Sequence, residues 1–576
     1  MKLIDFSSSH CTHCYKCVRG CQVKAIDIRD SHAVIAGDRC IRCGECLNIC
    51  PQNARTAESR LPAVQRMLAS GQTVVLSLAP SFRGLLPVTD PGQAAAALHR
   101  LGFSQVRETA EGAACVTAEY IRLLNEGKMD NIITTCCPGV VSLVEMYYPD
   151  LIPWLAPVVS PMIAHGRLIK KQLGPDTRVV FAGPCLAKKA EACDPRFQDA
   201  VDAVLDFQEL AGWMAHERIH LSDCSPRDFD GIHPKINRLY PVAGGILASV
   251  KAAPDNPDSF HRIQAEGIAD CIRLCDSLSR QELHGCFIEM NLCDGGCIGG
   301  PLAPDRSQSR WRLQLDYQKQ TPTEPAEPPK LSRDISLDRQ FQPSPPMNPL
   351  PTEEELRRIL ARTGKKSPDD ELNCGACGYP SCREKAIAVF QGRAETGMCI
   401  PYMHDHAASL ANLVMETSPN IVIIVNRNLD ILEYSAVGER YFGKSRAQAL
   451  SMKLADFFDP ADFLEVLTTK ENIHGRKVSY PQYDLITLQN IVYLPEHDGA
   501  LATIIDITAA EKKARKEYAR KLETIGMAQQ VIDKQMTVAQ QIAGLLGETT
   551  AETKVSLTKI GRILLEDSEG NEEVRI

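Results

Sequence analysis

Two runs of four cysteines near the start of the chain constrain its fold more than any other feature. CTHCYKCVRGC places cysteines at 11, 14, 17 and 21, and CIRCGECLNICP repeats that spacing at 40, 43, 46 and 50. All 23 cysteines of the 576-residue chain lie between Cys11 and Cys399, and many stand two residues apart. In a chain that shows no export signal, such clusters bind metal more often than they form disulfides.

The repeated C-x2-C-x2-C-x3-C spacing resembles that of the bacterial two-cluster ferredoxins, in which the fourth cysteine of each run reaches across to the other cluster. The resemblance implies two 4Fe-4S clusters. Their ligands would be Cys11, Cys14, Cys17 and Cys50 for one cluster, and Cys40, Cys43, Cys46 and Cys21 for the other. Structural zinc is the alternative, because it also takes four thiolates. Two adjacent clusters form an electron relay and predict a redox centre elsewhere in the chain.

The composition is that of an ordinary, mildly acidic protein. Charged residues make up 24% and the net charge is -8, so the chain lacks the basic surface that nucleic acids and anionic membranes attract. No stretch approaches the roughly 20 apolar residues of a membrane span, and the start MKLIDFSSSHC does not resemble a signal peptide. We therefore expect a cytoplasmic protein with several domains, no membrane span and no nucleic-acid partner.

From about residue 62 the chain alternates apolar, strand-like runs with helical stretches. The runs TVVLSLAP, MDNIITTCCPG and TRVVFAGPC are separated by helical sequence, and this alternation predicts parallel sheets. Ligand sites in such sheets lie at the carboxyl ends of the strands. TTCC and GPC stand at such ends, and a third cysteine motif, FIEMNLCDGGCIGGP, follows later in the chain.

These three motifs together resemble the catalytic domain of the iron-only (FeFe) hydrogenases. The family's motifs have the forms T-S-C-C-P-x-W, P-C-x-x-K-x-x-E and E-x-M-x-C-x-x-G-C, and all three appear here in that order, with substitutions. The resemblance covers roughly residues 62–303. It implies that hydrogen and protons are the substrates. The implied cofactor is an H-cluster, made of a 4Fe-4S subcluster and a diiron unit with carbon monoxide, cyanide and azadithiolate ligands.

The resemblance also implies a role for each matching residue. The 4Fe-4S subcluster would be held by Cys137, Cys185, Cys293 and Cys297, and Cys297 would bridge to the diiron unit. Lys188 would hydrogen-bond a cyanide, because an ammonium is a compact point donor. The diiron unit would be lined by Ala79, Pro80, Ser81 and Pro184. Cys136 would not be a ligand; it would pass a proton between the azadithiolate amine and the protein.

Simpler interpretations exist for these residues. Lys188 stands beside Lys189, and both could be solvated surface side chains, because most lysines are exposed. Cys136 could be an inert buried thiol, because unliganded cysteines often behave as small hydrophobes. The cysteines that match no ligand position are expected to be structural: Cys115, Cys193, Cys224, Cys271, Cys275 and Cys286.

The expected proton route departs from that of efficient hydrogenases, which runs from the cysteine through a glutamate, a serine and a second glutamate. Here Glu119 is the one carboxylate near the expected positions, and Ala156 stands at the expected serine. An alanine methyl can neither donate nor accept a hydrogen bond. Substitutions in the cofactor pocket are Val140, Met162, Gly183 and Asn291. Such departures characterise the sensory branch of the family and imply slow turnover with retained hydrogen binding.

Beyond this region, residues 304–350 are rich in proline, glutamine and serine and predict an extended linker or a wrapping segment. Thr352 and Glu355 then form a capping box at the start of a helix. The following segment contains Cys374, Cys377, Cys382 and Cys399. It resembles the small 4Fe-4S domain of some electron-transfer and corrinoid proteins, with zinc again the alternative.

From about residue 408 the sequence resembles a PAS domain, over roughly residues 410–508. The strand-like runs are NIVIIVNRN, DLITLQNIVYL and GALATIIDIT, and Ser435 replaces an asparagine common at its position. No cysteine is present to form a flavin adduct, and we expect His474 and His497 to face solvent. The residues do not identify a PAS ligand.

Residues 510–546 are strongly helical. Ile525, Ile532, Ala539 and Leu546 recur at seven-residue spacing, which predicts a short coiled-coil seam and a possible homodimer. A helix packed on its own PAS domain is the alternative. A second helix, AETKVSLTKIGRILL, follows without a kinase, phosphatase, cyclase or DNA-binding signature. Any output is therefore expected to pass to a downstream signalling protein through the C-terminal helices.

The predicted fold class is multidomain α/β: a ferredoxin-like two-cluster module, an FeFe-hydrogenase α/β domain, a small α-rich 4Fe-4S domain, an α+β PAS domain and C-terminal helices. The corresponding boundaries are 1–58, 62–303, the linker 304–350, 351–404, 408–508 and 509–576.

Three functions fit these features. The first is a sensory hydrogenase that relays redox state through its 4Fe-4S clusters to the PAS domain and tail. The second is a working hydrogenase that exchanges electrons with ferredoxin or another carrier. The third is a non-enzymatic iron-sulfur redox sensor without the diiron unit. The first two would need hydrogenase maturation proteins to assemble the diiron unit.

Overall fold

The computed structural model describes residues 3–257, 259–304, 308–457, 459–543 and 555–563. The chain divides into two compact units, Met1–Met403 and His404–Ile576. No helix among the described residues is both long enough and apolar enough to cross a membrane.

The N-terminal module consists of two small antiparallel strand pairs and two short helices. Its elements are the paired strands Ile4–Phe6 and Arg55–Ala57, the hairpin Ile26–Arg29 with His32–Ile35, and the helices Lys16–Gly20 and Glu45–Asn48. Each helix follows a residue in the left-handed region, Tyr15 at φ 54° and Gly44 at φ 78°. These turns place each cysteine run in a tight loop that leads directly into a helix.

Two parallel sheets form the core of the central domain, as the sequence predicts. One sheet has the strand order Gln105–Glu108, Val74–Leu78, Arg178–Ala182, Ala203–Leu205, and the other has the order His261–Glu266, Cys286–Asn291, Ile132–Ile133. Every residue of Val74–Leu78 and of Cys286–Asn291 is buried, which is typical of parallel strands covered on both faces.

Helices flank these sheets. Their bounds are Leu61–Ala69, Phe82–Leu85, Pro91–Arg100, Ala110–Glu126, Pro138–Tyr147, Pro161–Leu173, Leu186–Glu191, Phe207–His216, Gly245–Lys251 and Ile268–Ser279. Pro91, Pro138 and Pro161 each occupy the first helical position, where the missing N–H costs nothing and the fixed φ suits a helix. Two of these helices start directly at cysteine motifs, since Cys137 precedes Pro138 and Cys185 precedes Leu186.

The segment within residues 304–350 is not an extended linker. It includes the helix Arg310–Gln320, and Tyr317 on that helix is buried and donates a hydrogen bond to the carbonyl of Pro80. Farther on, Asp338 forms an isolated bridge with Val158, and Arg339 is buried. The segment therefore wraps the central domain, the second of the two alternatives. Its proline content did not reveal the helix, because the proline-poor stretch between 310 and 320 is short and strongly polar.

The small cysteine-containing segment folds around the helices Glu353–Arg362 and Cys382–Phe390. The capping box predicted at Thr352 and Glu355 is confirmed, with reciprocal hydrogen bonds between the two residues. This segment packs on the N-terminal module. The Ile28 N–H donates to the Arg393 carbonyl at 2.9 Å, and Arg19 Nη1 donates to the Ala376 carbonyl at 3.0 Å.

Gly378 provides a test of this contact. It has φ +97°, and a Cβ there would lie 2.9 Å from Val18 Cγ1. We expect Gly378→Ala to weaken the packing by about 1–3 kcal/mol through steric overlap and backbone strain. Native-state hydrogen exchange should show faster exchange of the Ile28 amide. The matched control is Gly392→Ala, which has φ +67° and no neighbour within 4 Å of the added Cβ. Equal effects of the two substitutions would contradict the packing argument.

The second unit contains a five-stranded antiparallel sheet. The strand order is Ile431–Tyr434, Ile421–Asn426, Gly499–Asp506, Leu485–Leu494, Ile473–Tyr480. Its helices are Ala436–Phe442, Arg446–Ala449 and Ala461–Thr469, and the helix Ile400–Thr417 begins directly after Cys399. Tyr434, Phe442 and Phe457 pack in the core. His474 and His497 are exposed, as expected.

The predicted C-terminal helix is confirmed over Thr508–Ala543. Along the predicted seam, Ile525, Ile532 and Ala539 are half-buried. Leu546 lies outside the described residues. Of the second predicted helix, residues 555–563 are described, and they are helical.

Candidate metal-cluster and hydrogen-binding site

The three cysteine motifs and the LAPS segment meet around one cavity in the central domain. Its wall includes Ala79, Pro80, Ser81, Cys136, Cys137, Pro184, Cys185, Lys188, Cys293 and Cys297. Each contribution comes from just beyond the carboxyl end of a parallel strand: Val74–Leu78, Ile132–Ile133, Arg178–Ala182 and Cys286–Asn291. The structure thus brings together all ten residues that the sequence assigned to this site, at the sheet edge where ligand sites form.

Four of these side chains are thiols that could hold a cluster: Cys137, Cys185, Cys293 and Cys297. Removal from water, together with the neighbouring Cys137, raises the pKa of Cys185 to about 11. The pKa values of Cys293 and Cys297 are raised for the same two reasons. A metal cluster deprotonates its thiols and supplies the missing positive charge. The donor set therefore fits a metal-sulfur cluster and is costly to ionise without one.

The cavity has more free space than two other cavities that are each lined by four cysteines, although a cavity beside Cys43 and Cys293 has about 1840 Å³. The cavity of the three motifs contains about 790 Å³ of space free of protein atoms, against about 490 Å³ beside Cys374 and about 460 Å³ beside Cys11. The buried hydroxyl of Ser81 lines it, and no described residue lies within hydrogen-bond distance of Ser81 Oγ. The extra space and the unpaired hydroxyl fit a polar group additional to one 4Fe-4S cluster.

Lys188 belongs to this cavity and not to the surface. Only 9% of the residue is exposed, and its Nζ lies 2.9 Å from Glu191 Oε2 and 3.2 Å from the Cys136 carbonyl oxygen. Lys189 is buried too, with its Nζ 2.6 Å from Glu209 and 2.8 Å from Asp206. The interpretation of both lysines as solvated side chains is wrong, because each ammonium is enclosed and paired.

Glu191 anchors this part of the wall. Besides Lys188, it accepts from Ser160 Oγ at 2.8 Å and from Arg339 Nη1 at 2.8 Å. Burial favours the neutral acid, but Lys188 and Arg339 outweigh it and hold the pKa of Glu191 below its ordinary value. Glu191 is the last residue of the second cysteine motif, whereas Arg339 belongs to the segment that wraps the central domain. No local signal in the sequence could have assigned Arg339 to this site.

Cys136 lines the same cavity with a protonated thiol. Burial raises its pKa to about 12, although Tyr120 and Lys188 act in the opposite direction. Tyr120 Oη accepts the Thr135 N–H at 3.0 Å and lies 3.2 Å from Cys136 Sγ. Either atom can donate in this contact, and when Tyr120 donates, its proton lies between its oxygen and the sulfur. The S–H of Cys136 is then free to turn toward the cavity. Sequence reasoning missed Tyr120.

The positions expected for the outer proton relay do not form one. Ala156 is fully buried. Glu119 is half-exposed and accepts from Arg122 Nε at 2.9 Å on the same helix. Met162 and Asn291, two of the pocket substitutions, do line the cavity.

Two further cysteine groups lie in the N-terminal module. Cys11, Cys14, Cys17 and Cys50 line one cavity, which is the crossed arrangement predicted from the two runs. Cys21, Cys40, Cys43 and Cys46 form the other group. Burial and the charges of Cys40 and Cys21 together raise the pKa of the Cys46 thiol to about 12, against the opposing effect of Arg55. Backbone N–H groups donate to sulfur in both groups, from Ala25 to Cys21 and from Ala54 to Cys50.

The second of these groups adjoins the central cavity. Cys43 raises the pKa of Cys293 by its charge, after burial and the other cavity thiols. Gly44 lies so close to Pro301 that a Cβ would stand 2.6 Å from the proline ring. The glycine also has φ +78°, so both its conformation and its contact exclude larger residues. This close approach brings the Cys43 loop to the thiols of the third motif.

A fourth cysteine group lines its own cavity, formed by Cys374, Cys377, Cys382 and Cys399. The Lys365 ammonium donates to Cys399 Sγ at 3.4 Å, which stabilises a thiolate there. Lys24 of the N-terminal module lies close to both Cys21 and Cys377. Burial lowers the pKa of Lys24, and the charges of the two sulfurs oppose that decrease. The fourth group therefore lies beside the N-terminal module, next to the helix that carries Cys17.

Family models match four parts of the chain. Residues 72–301 match the iron only hydrogenase large subunit, C-terminal domain, and residues 3–51 match a 4Fe-4S dicluster domain. Residues 370–401 match a putative Fe-S cluster domain, and residues 411–507 match the PAS fold. These matches support 4Fe-4S clusters over zinc in the cysteine-rich modules.

Individual proteins show the same relationships. The NADP-reducing hydrogenase subunit HndD of Solidesulfovibrio fructosivorans is 28% identical over 332 residues, which cover 47% of this chain and 57% of that protein. The chain thus spans little more than half the length of this curated relative. The cytosolic Fe-S cluster assembly factor NAR1 of Yarrowia lipolytica is 30% identical over 183 residues, which cover 29% of this chain and 37% of that protein.

Among solved structures, a variant of apo [FeFe]-hydrogenase HydA1 from Chlamydomonas reinhardtii aligns with 18% identity and a TM-score of 0.42, covering 50% of this chain and all of that one. From the domain matches and the hydrogenase relatives, the chain contains an FeFe-hydrogenase-like domain together with 4Fe-4S cluster domains and a C-terminal PAS domain.

Proposed function

We propose that this protein is a hydrogen or redox sensor, in which a slow hydrogenase site reports through 4Fe-4S clusters to the PAS domain and C-terminal helices. One observation carries the proposal: Cys136 and Lys188 both face the four-thiol cavity, while Ala156 interrupts the route that efficient hydrogenases use for protons. The residues that would act beside the diiron unit are retained, whereas the serine of the fast proton route is replaced by Ala156.

The cavity's residues fit an H-cluster. Cys137, Cys185, Cys293 and Cys297 would hold its 4Fe-4S part, and Ala79, Pro80, Ser81, Pro184 and Lys188 would surround its diiron part. When bound, that group supplies reversible splitting of hydrogen into protons and electrons. Lys188 presents a buried ammonium held by Glu191, which orients it as a donor for a small anion. Cys136 holds a proton at Sγ, because its pKa is raised to about 12.

Electrons would leave through the cysteine groups that adjoin the cavity. The group containing Cys43 is next to the third motif. Cys17 lies on the helix Lys16–Gly20, and Cys377 packs in the same buried cluster as Val18 of that helix. An external carrier such as ferredoxin would exchange electrons with these groups. The PAS domain and tail would present the redox state to a downstream signalling protein.

Electron paramagnetic resonance of the matured protein tests this function. Under hydrogen, with no other reductant, the 4Fe-4S clusters should become reduced and show their paramagnetic signals. Hydrogen turnover should remain far below that of efficient hydrogenases, because the proton exit is interrupted. Clusters that stay oxidised under hydrogen would refute the sensing proposal, and fast turnover would favour a working hydrogenase.

The similarity to the assembly factor NAR1 favours a second candidate, an iron-sulfur redox sensor without the diiron unit. Iron quantitation in the matured protein distinguishes the two. The hydrogenase-like site requires two irons beyond those of four 4Fe-4S clusters, whereas the second candidate does not.

Replacing Lys188 tests the fit of the cavity to the diiron unit. We expect Lys188→Met, which keeps the length of the side chain and removes its charge, to lower diiron content at least several-fold. The four cavity thiols should still hold their 4Fe-4S cluster. Infrared absorption of carbon monoxide and cyanide, normalised to cluster iron, measures the effect. The control is Lys171→Met, which changes an exposed lysine on the helix Pro161–Leu173. Unchanged infrared intensity in Lys188→Met would remove Lys188 from the binding site.

A further inference from the structure

A chain of polar side chains leads away from the cavity on a side that the expected relay does not use. It begins at Thr109, which lines the cavity, as Ser81 does. Thr109 Oγ1 lies 2.7 Å from Ser77 Oγ, and Ser77 Oγ lies 2.8 Å from His165 Nδ1. All three residues are buried. Hydroxyls and imidazoles both donate and accept protons, so this segment can pass a proton from one group to the next.

The chain continues from His165 toward the protein surface and ends at Glu111, whose side chain is fully buried. His165 Nε2 faces Glu111 Oε1 at 3.7 Å, longer than a hydrogen bond but within reach of a small ring rotation, and catalytic hydrogen bonds are often long in unliganded structures. Glu111 lies directly beneath Gly231, an exposed glycine at φ +97°. A Cβ at residue 231 would overlap Glu111 Oε1. The carboxylate is therefore covered at that point by glycine backbone and not by a side chain.

We propose that Thr109, Ser77, His165 and Glu111 form a proton route between the cavity and the surface at Gly231. The proposal rests on the proposed function, since it assigns the path for the protons of that reaction. A proton entering from the cavity joins the Thr109 hydroxyl as Thr109 gives its own proton to Ser77. Ser77 gives its proton to His165 Nδ1, and His165 Nε2 releases one to Glu111. Glu111 gives it to water that reaches the buried carboxylate past the Gly231 backbone. Each group then holds as many protons as before, and no electron moves. His165 has changed from the Nε2–H to the Nδ1–H tautomer, so the hydroxyls and the imidazole must reorient before the next proton passes.

The charges along the route make it slow. Arg107 Nε donates to Glu111 at 3.1 Å, and Arg107 Nη1 donates to Gln172 at 2.5 Å. Burial favours a neutral Glu111, but His165 and Arg107 hold its pKa below the ordinary value. Burial also lowers the pKa of His165. Protonating either group therefore costs free energy, which limits the rate without blocking the path. A slow route is better suited to a site that senses hydrogen than to a site that turns hydrogen over rapidly.

The test compares three variants of the full, matured protein. Thr109→Val keeps the shape of the side chain and removes its hydroxyl, and Thr109→Ser keeps the hydroxyl. The matched control is Thr117→Val, another buried threonine on the helix Ala110–Glu126 that does not line the cavity. Turnover is measured together with the infrared band positions and the midpoint potential of the diiron unit.

We expect Thr109→Val to slow turnover by about tenfold or more, since a positioned proton-transfer group typically contributes about 10² to 10⁴ in rate. Its bands and midpoint potential should match those of the unmodified protein, because a route affects rates and not equilibria. Thr109→Ser should restore most of the rate, and Thr117→Val should leave it unchanged.

Two results would overturn the route. One is unchanged turnover in Thr109→Val, while the unmodified protein shows infrared bands that respond to hydrogen. The other is slower turnover with shifted bands or potential, which indicates a structural role. Failure of the proposed function itself looks different, because the unmodified protein would then show no hydrogen-responsive bands.

Discussion

Cys136→Ala should lower hydrogen turnover by about 100-fold or more while the diiron unit stays bound. The thiol is the protonated group on the cavity wall, held by Tyr120 at 3.2 Å, and its loss removes the first proton transfer. General acid-base groups typically contribute about 10² to 10⁴ in rate. Turnover measured beside infrared intensity separates lost chemistry from lost cofactor.

Cys115→Ala is the matched control for this experiment. Burial raises the pKa of Cys115 to about 12, as it does for Cys136, but Cys115 does not line the cavity. We expect its turnover per bound diiron unit to match that of the unmodified protein. Equal losses in both variants would mean that any buried thiol in this domain matters to the fold, and the specific role of Cys136 would then be wrong.

Glu191→Gln should destabilise the central domain by about 3–5 kcal/mol. Glu191 is buried and compensates two buried cations, Lys188 at 2.9 Å and Arg339 at 2.8 Å. Breaking a buried ion pair by removing one partner leaves an uncompensated charge. Denaturant unfolding at neutral pH measures the loss. The control is Glu354→Gln, which breaks the exposed pair with Arg358 and should cost less than about 1 kcal/mol.

Two extensions make the Glu191 prediction sharper. Adding Arg339→Met to Glu191→Gln should recover part of the loss, because one of the unpaired charges is then removed. The pKa of Glu191 is lowered in the folded state, so its contribution is present above the ordinary glutamate pKa. That contribution is lost as the pH falls through the lower folded value. The difference between Glu191→Gln and the unmodified protein should therefore shrink in acid. A difference independent of pH would contradict the ion-pair account.

Local cysteine spacing made the cluster sites predictable. The crossed set of Cys11, Cys14, Cys17 and Cys50 is what the resemblance to two-cluster ferredoxins implies, and the structure places those four residues around one cavity. The parallel strands were predictable as well, because runs such as TVVLSLAP are apolar throughout. In both cases the signal lies within a few residues of the feature that it predicts.

Features that depend on distant segments were not predictable from one sequence. Arg339 reaches Glu191 across 148 positions of the chain, and it comes from a proline-rich stretch that gives no sign of a buried cation. Tyr120 and His165 lie on helices whose apolar pattern predicts only burial. Their hydrogen bonds to Cys136 and Ser77 depend on how those helices pack against the sheets. Only the structure shows that Lys188 faces the cavity, because the adjacent lysines of its sequence segment would also suit an exposed helix.

Infrared spectroscopy of the matured protein under hydrogen and under argon tests the central claim most directly. The claim is that the cavity between Cys136, Lys188 and the four thiols holds a diiron unit that responds to hydrogen. We predict carbon monoxide and cyanide bands under argon that shift under hydrogen and return when hydrogen is removed. Bands that are absent, or present and identical under both gases, would contradict it.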